Sequence, residues 1–183
     1  LDIGSGIGRI ATALHRAKRD VRYAGFDIVK YGVLWCKKKL SESEGYHFTH
    51  ADIFNPFYNP RGRNDPCAYS FPYADNSFDL LIAVSVYTHL LEQETRAYFK
   101  QSMRVMDRGG KAYFTTFLIE DAIPDQAHFA FNHQIGAAYV ERIEEPEMAV
   151  GYTRDFWEKL AAENGARIAQ VNRGSWQGEA GLR

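Results

Sequence analysis

Three glycines at alternate positions near the start of the chain have the spacing of a cofactor-binding loop. Gly4, Gly6 and Gly8 follow a short apolar run and precede apolar residues at helical spacing. A glycine loop between a strand and a helix lets the backbone approach a ligand closely. Nucleotide cofactors bind there, outside the carboxyl ends of the strands. Dinucleotide sites require a further glycine three positions after the second one. This chain has Arg9 at that position, so its loop departs from the NAD pattern.

Carboxylates at the predicted strand ends suit a cofactor that carries an amino group, a ribose and an adenine but no phosphate. Asp2 precedes the loop and is placed to meet an amino group, although it could merely orient the loop. Asp27 lies about twenty residues beyond the glycines, where an acidic residue accepts hydrogen bonds from ribose hydroxyls. It could instead cap the next helix. Asp52 could accept from the adenine amino group, or be purely structural, and Ile28 and Ile53 could lie on either side of the base. These groups point to S-adenosylmethionine.

The elements that would position these residues alternate between strand and helix. Such alternation predicts βαβ units and a mostly parallel sheet. Residues 54–77 and 120–151 are expected to be irregular, and long loops of this kind are usually functional or disordered. Thr153 is expected to cap a helix that Asn164 and Gly165 end. The predicted strands cover 1–3, 21–28, 46–53, 78–86, 111–118 and 166–171, and the predicted helices cover about 7–17, 33–40, 91–106 and 154–163.

Length and composition indicate one soluble globular domain over residues 1–183. The 45% hydrophobic and 25% charged fractions are ordinary for such a domain. A formal net charge of -1 argues against a broad nucleic-acid surface, which needs a basic surplus. The two cysteines have no metal-ligand spacing and suggest a reducing compartment. Without a membrane-spanning run or a signal peptide, we expect a cytoplasmic protein with no membrane or nucleic-acid partner.

Three sequence motifs resemble those of class I S-adenosylmethionine-dependent methyltransferases. Residues 1–8 resemble motif I, residues 71–81 resemble the approach to the fourth strand, and residues 104–111 resemble the turn into the fifth strand. Arg108 stands where that turn usually has proline. The likeness extends to about Val171 and implies a Rossmann-like, doubly wound α/β fold of three layers. We expect the chain to be trimmed at both ends, because the first strand is short and no residues supply the family's antiparallel seventh strand.

The resemblance implies S-adenosyl-L-methionine as the cofactor and assigns contacts to residues that match the family's motifs. To the residues discussed above it adds Ser85, at the end of the fourth strand. The expected cofactor-binding residues are Asp2, Gly4, Ser5, Gly6, Asp27, Ile28, Asp52, Ile53 and Ser85.

His89 is the candidate catalytic residue, because it follows the fourth strand, where acceptor and methyl group should meet. Histidine commonly acts as a general base near neutral pH. It could equally fix the loop or start the next helix. His128 and His133 are alternatives in the second irregular region. Since no cluster of histidines and carboxylates has metal-ligand spacing, we expect no metal.

The sequence therefore predicts methyl transfer to an oxygen or nitrogen atom of a small-molecule or sugar-like acceptor. One alternative is a non-catalytic module that binds the cofactor or a partner on a degenerate methyltransferase fold. A second alternative, an NAD-dependent oxidoreductase, is disfavoured by Arg9.

Overall fold

A computed structural model describes residues 1–40, 45–120, 128–174 and 176. Contacts divide the chain into two compact units. The first comprises residues 1–84 and 104–114, and the second comprises residues 85–103 and 115–183. The single domain expected over residues 1–183 stays a prediction.

The first unit contains a five-stranded parallel sheet with the order β3-β2-β1-β4-β5. In the register of this sheet, Asp2 lies between Gly25 and Ile82. The order changes direction at β1, as in doubly wound folds, and the predicted α/β, Rossmann-like fold is confirmed. The strands are β1 (Asp2–Ile3), β2 (Tyr23–Asp27), β3 (Tyr46–His50), β4 (Phe78–Ala83) and β5 (Met106–Phe114), with α1 (Arg9–Arg16) and α2 (Lys30–Lys39) between the first three.

Helices α1 and α2 share one hydrophobic cluster with strands β2 and β3. The helices contribute Ala11, Val33 and Cys36, all 0–1% exposed, and the strands contribute mainly aromatic rings. Among these rings, Tyr23 and Tyr46 stack with centroids 5.3 Å apart. This packing holds α1 and α2 against the strands that precede and follow the glycine loop.

Residues 54–77 contain no helix or strand, as predicted. The Asn55 side chain accepts hydrogen bonds from two following backbone amides, at 3.0 and 2.9 Å. At the far end, the Arg104 guanidinium donates to the carbonyls of Phe71 and Tyr73 and pairs with Asp75 at 2.6 Å. Side-chain hydrogen bonds therefore order a segment that has no regular backbone ladder.

The second unit contains a four-stranded sheet with the order β6-β9-β8-β7, in which only the β6–β9 pair is parallel. The prediction that residues 120–151 are irregular is wrong for their described part. The strands of this sheet are only three or four residues long, which is too short to show a period in the sequence. The elements of this unit are β6 (Phe117–Ile119), β7 (His133–Ile135), β8 (Ala138–Val140), β9 (Val150–Thr153), α4 (Arg154–Glu163) and most of α3 (Glu92–Val105).

Two other predicted strands need correction. The strand expected at 111–118 is two strands, because the chain leaves β5 after Phe114 and enters a different sheet at Phe117. The strand expected at 166–171 does not form. Ile168 and Val171 are 37% and 44% exposed, and no described strand pairs with this segment. A short apolar run does not by itself supply the neighbouring strand that pairing requires.

The predicted boundaries of α4 are confirmed. The Thr153 side chain accepts from the Phe156 amide at 3.2 Å, and Gly165 follows the helix with a φ of 69°. Within the described residues, no helix has both the length and the apolar character that a membrane span requires.

Candidate functional site

The glycine loop of the first unit is fastened to the end of β2. The amides of Gly4 and Ser5 both donate to the Phe26 carbonyl, at 2.9 and 3.0 Å. Gly4, Gly6 and Gly8 have φ values of 72°, 56° and 74°, in the left-handed region that favours glycine. These contacts hold the loop in a defined backbone conformation.

Asp27 joins the loop to the start of α2. One carboxylate oxygen accepts from the Gly6 amide at 2.7 Å, and the other accepts from the Val29 amide at 2.7 Å. The side chain is buried. Each carboxylate oxygen can accept more than one hydrogen bond, so these contacts leave acceptor capacity for a ligand. The helix-capping alternative is thus present, and the ribose contact stays a prediction.

Helix α2 contacts the loop at a second point that the sequence analysis missed. A Cβ atom on Gly32 would lie 2.7 Å from the Gly6 carbonyl oxygen, closer than real Cβ atoms approach. The Cys36 thiol donates weakly to the same oxygen at 3.8 Å. Glycine inside a helix is unfavourable by about 1 kcal/mol relative to alanine. The presence of Gly32 was therefore the feature of the sequence that could have indicated this contact.

Asp2 lies beneath the loop with almost no exposure. The Tyr23 hydroxyl donates to its carboxylate at 2.5 Å, and sequence reasoning missed this partner. Burial raises the pKa of Asp2 from 3.8 to about 6, against the opposing effect of the tyrosine hydrogen bond. Burial also raises the pKa of Tyr23, so its proton stays on the phenol.

Asp52 is more exposed and is held by the long loop. Arg63 pairs with its carboxylate at 2.7 Å, and the Asn59 amide lies 3.4 Å from the other oxygen. The hydrogen bond from Arg63 is the main reason that the pKa of Asp52 is lowered. Ile53 is buried, and Ile28 is partly exposed. The predicted adenine contacts of these three residues stay predictions.

A cleft of about 290 Å³ opens on the β4 side of the loop. The sheet order places Asp52, Asp27, the loop and this cleft in sequence across strands β3, β2, β1 and β4. A cofactor with an adenine, a ribose and an amino acid end would meet Asp52, Asp27 and the cleft in that order. The residues that line the cleft are Asp2, Gly4, Ser5, Arg9, Ile10, Ala13 and Val84.

The other two predicted site residues, Ser85 and His89, belong to the second unit. Ser85 has a φ of 56°, rare for a residue with a side chain, and its amide donates to Thr115 Oγ1 at 2.8 Å. His89 Nδ1 lies 2.8 Å from the Glu147 carbonyl oxygen. Because a carbonyl only accepts, a neutral His89 must carry its proton on Nδ1 and its lone pair on Nε2. That tautomer is the one in which Nε2 can take a proton.

The alternative bases, His128 and His133, are exposed side chains of the second unit. His133 lies in β7, and the backbone amide of His128 donates to the Trp176 carbonyl. No group of three or more histidine, cysteine or acidic side chains in the described ranges could hold a metal ion.

A glycine loop on a doubly wound sheet, with carboxylates near successive strand ends, defines an α/β protein with a Rossmann-like fold. The family model described as "Methyltransferase domain" matches residues 1–114, more than half of the chain. The chain therefore belongs to the methyltransferase domain family.

Solved structures agree in fold. The YcgJ protein from Bacillus subtilis is 20% identical with a TM-score of 0.59, over 89% of this chain and 59% of that one. A putative methyltransferase in complex with the Trm112 activator of Haloferax volcanii is 16% identical with a TM-score of 0.62, over 96% and 63%. The cyclase SpnF is 22% identical with a TM-score of 0.50, over 68% and 41%. The chain thus spans less than two thirds of each of these chains.

Proposed function

We propose that this chain is an S-adenosylmethionine-dependent methyltransferase that acts on an oxygen or nitrogen atom of a small-molecule or sugar-like acceptor. One observation carries the proposal. Asp2 and Asp27 are buried carboxylates placed around a preformed glycine loop that lacks the dinucleotide glycine. Each carboxylate already accepts hydrogen bonds from the protein, and its remaining acceptor capacity suits a ligand with an ammonium group and ribose hydroxyls.

The cofactor would fit this set of residues without a phosphate cradle. Asp27 would accept from the ribose hydroxyls, Asp52 from the adenine amino group, and Asp2 would face the ammonium group. When bound, S-adenosylmethionine supplies a methyl group that is already activated on a sulfonium. The protein's own task is then to bind, to orient the acceptor and to exclude water.

His89 is proposed as the general base for an acceptor whose hydroxyl or amine must lose a proton. The 2.8 Å contact between Nδ1 and the Glu147 carbonyl supports this role, because it orients the ring and places the proton of the neutral imidazole on Nδ1. The strained φ of Ser85, four residues earlier, supports a functional loop at this point of the chain, since strained residues cluster at functional sites.

A small acceptor is favoured over nucleic acid by the charge balance. The formal net charge of -1 provides no surplus of cations for a phosphate backbone. Aromatic residues make up 14% of the chain and could line an acceptor pocket.

Calorimetric titration with S-adenosylhomocysteine tests the cofactor assignment. We expect binding by the wild type and a loss of affinity of about 100-fold in Asp27→Ala, because two or more hydrogen bonds to a charged group are removed. Asp20→Ala, which removes an exposed aspartate of the same unit, is the matched control and should not change the affinity. No binding by folded wild-type chain would overturn the proposal.

A second candidate is chemistry other than methyl transfer on the same fold. The similarity to the cyclase SpnF favours this candidate, because one fold can support more than one kind of reaction. An assay for S-adenosylhomocysteine release over a panel of hydroxyl and amine acceptors separates the two. Release with one acceptor supports the methyltransferase, whereas cofactor binding without release by any acceptor favours the second candidate.

A further inference from the structure

The cleft beside the glycine loop contains charges of both signs. Asp2 contributes a carboxylate and Arg9 contributes a guanidinium to the same cleft of about 290 Å³. The two groups are close enough for the positive charge of Arg9 to influence the pKa of Asp2. They do not form an ion pair within 4 Å, and Arg9 has no such pair with any described residue. Each charge is therefore available to a ligand that carries both signs.

Arg9 occupies a position where a cation is unfavourable. It is the first residue of α1, and the first turn of that helix contains no acidic side chain. The amino end of a helix carries partial positive charge, which favours anions and disfavours cations by about 0.3–1 kcal/mol. An anionic ligand group at this point would interact favourably with both the helix end and the guanidinium.

We propose that Arg9 binds the α-carboxylate of the cofactor's amino acid end, while Asp2 faces its ammonium group. The assignment rests on the proposed function and adds Arg9 as a cofactor-binding residue. Arg9 stands where a dinucleotide loop has its third glycine. Under this proposal, the residue at that position recognises a carboxylate.

Two ligands that differ only in the carboxylate provide the test. S-adenosylmethionine and decarboxylated S-adenosylmethionine are titrated by calorimetry into the wild type and into Arg9→Gln. We expect Arg9→Gln to weaken S-adenosylmethionine binding by about 10- to 100-fold, the range for a lost hydrogen-bonded charge pair. Binding of the decarboxylated ligand should change less than about twofold, because its partner group is absent.

Two further variants separate a direct contact from a structural effect. Arg9→Lys keeps the charge and should restore part of the affinity for S-adenosylmethionine. Arg16→Gln, at the other end of α1, is the matched control and should change neither affinity. Equal losses for both ligands, or no loss for either, in Arg9→Gln would overturn the inference while leaving the proposed function intact. A folded wild type that binds neither ligand would overturn both.

Discussion

The two units of the molecule bury different kinds of polar group. Among the described residues, the first unit buries two aspartates, Asp2 and Asp27, whereas the buried polar side chains of the second unit are the hydroxyls of Thr88, Thr95 and Ser102. A buried hydroxyl needs one neighbour, and Thr95 finds it in the Leu90 carbonyl at 3.0 Å. A buried carboxylate is far more costly and has to be explained by a partner or by function.

Aromatic packing forms the core of the second unit, as it forms part of the core of the first. One cluster joins Tyr87, Tyr152 and Trp157, all at most 7% exposed. Another groups Phe117, Phe131 and Trp176 with ring centroids 5.2–5.6 Å apart. Under the proposed function, cofactor affinity depends on the first unit, and the proposed base, His89, belongs to the second. Substitutions in each unit should therefore change different measured quantities.

The largest expected effect is on turnover, from the second unit. His89→Gln should lower kcat by about 100-fold or more, because it removes the proposed general base. Its Kd for S-adenosylhomocysteine should stay within about twofold of wild type. Turnover is measured with an acceptor found in the panel, and the affinity by calorimetry. His133→Gln, an exposed histidine of β7, is the matched control. An unchanged kcat in His89→Gln would show that His89 is not the general base.

A smaller effect is expected from the helix that contacts the loop. Gly32→Ala places a methyl group 2.7 Å from the Gly6 carbonyl oxygen, so the loop must shift. We expect the Kd for S-adenosylhomocysteine to rise about 30-fold, about 2 kcal/mol, because small displacements of a preorganised site are costly. Gly174→Ala meets nothing within 4 Å and should have no effect. If both variants bind like wild type, α2 does not position the loop.

The smallest effect comes from Asp2, and its two readouts change with pH in opposite directions. The pKa of Asp2 in the folded chain, about 6, lies above its ordinary 3.8. The free energy of unfolding should therefore fall as pH rises from about 4 to about 6, by about 3 kcal/mol for a shift of this size, and level off at higher pH. Cofactor affinity should rise over the same range, because only the ionised carboxylate attracts an ammonium group.

Asp2→Asn should remove both pH dependences and weaken S-adenosylhomocysteine binding by about tenfold at pH 8, since a neutral amide replaces a charge. Chemical denaturation and calorimetry between pH 4 and pH 8 measure the two quantities. Asp20→Asn should keep the wild-type profiles. A variant that loses stability at every pH without losing affinity would show that Asp2 serves only the fold.

The sequence predicted the parts of the site that depend on local order along the chain. The glycine spacing and the strand-end positions of Asp27 and Asp52 follow from the alternation of strand and helix. The contacts of Tyr23 with Asp2 and of Gly32 with Gly6 join residues 21 and 26 positions apart in different elements, and no local pattern encodes such pairs.

The fold was predicted unevenly for the same reason. Strands of the parallel sheet alternate with helices and are readable from that alternation. The strands of the second sheet are three or four residues long, and they are defined by pairing with neighbouring strands. Residues 166–171 show the converse, since a short apolar run without a described partner strand remains irregular.

One measurement tests the central claim most directly: calorimetric titration of the folded wild-type chain with S-adenosylhomocysteine and, separately, with NAD. We expect saturable one-site binding of S-adenosylhomocysteine and no measurable binding of NAD, because Arg9 replaces the glycine that a pyrophosphate requires. Binding of NAD in preference to S-adenosylhomocysteine would contradict the account.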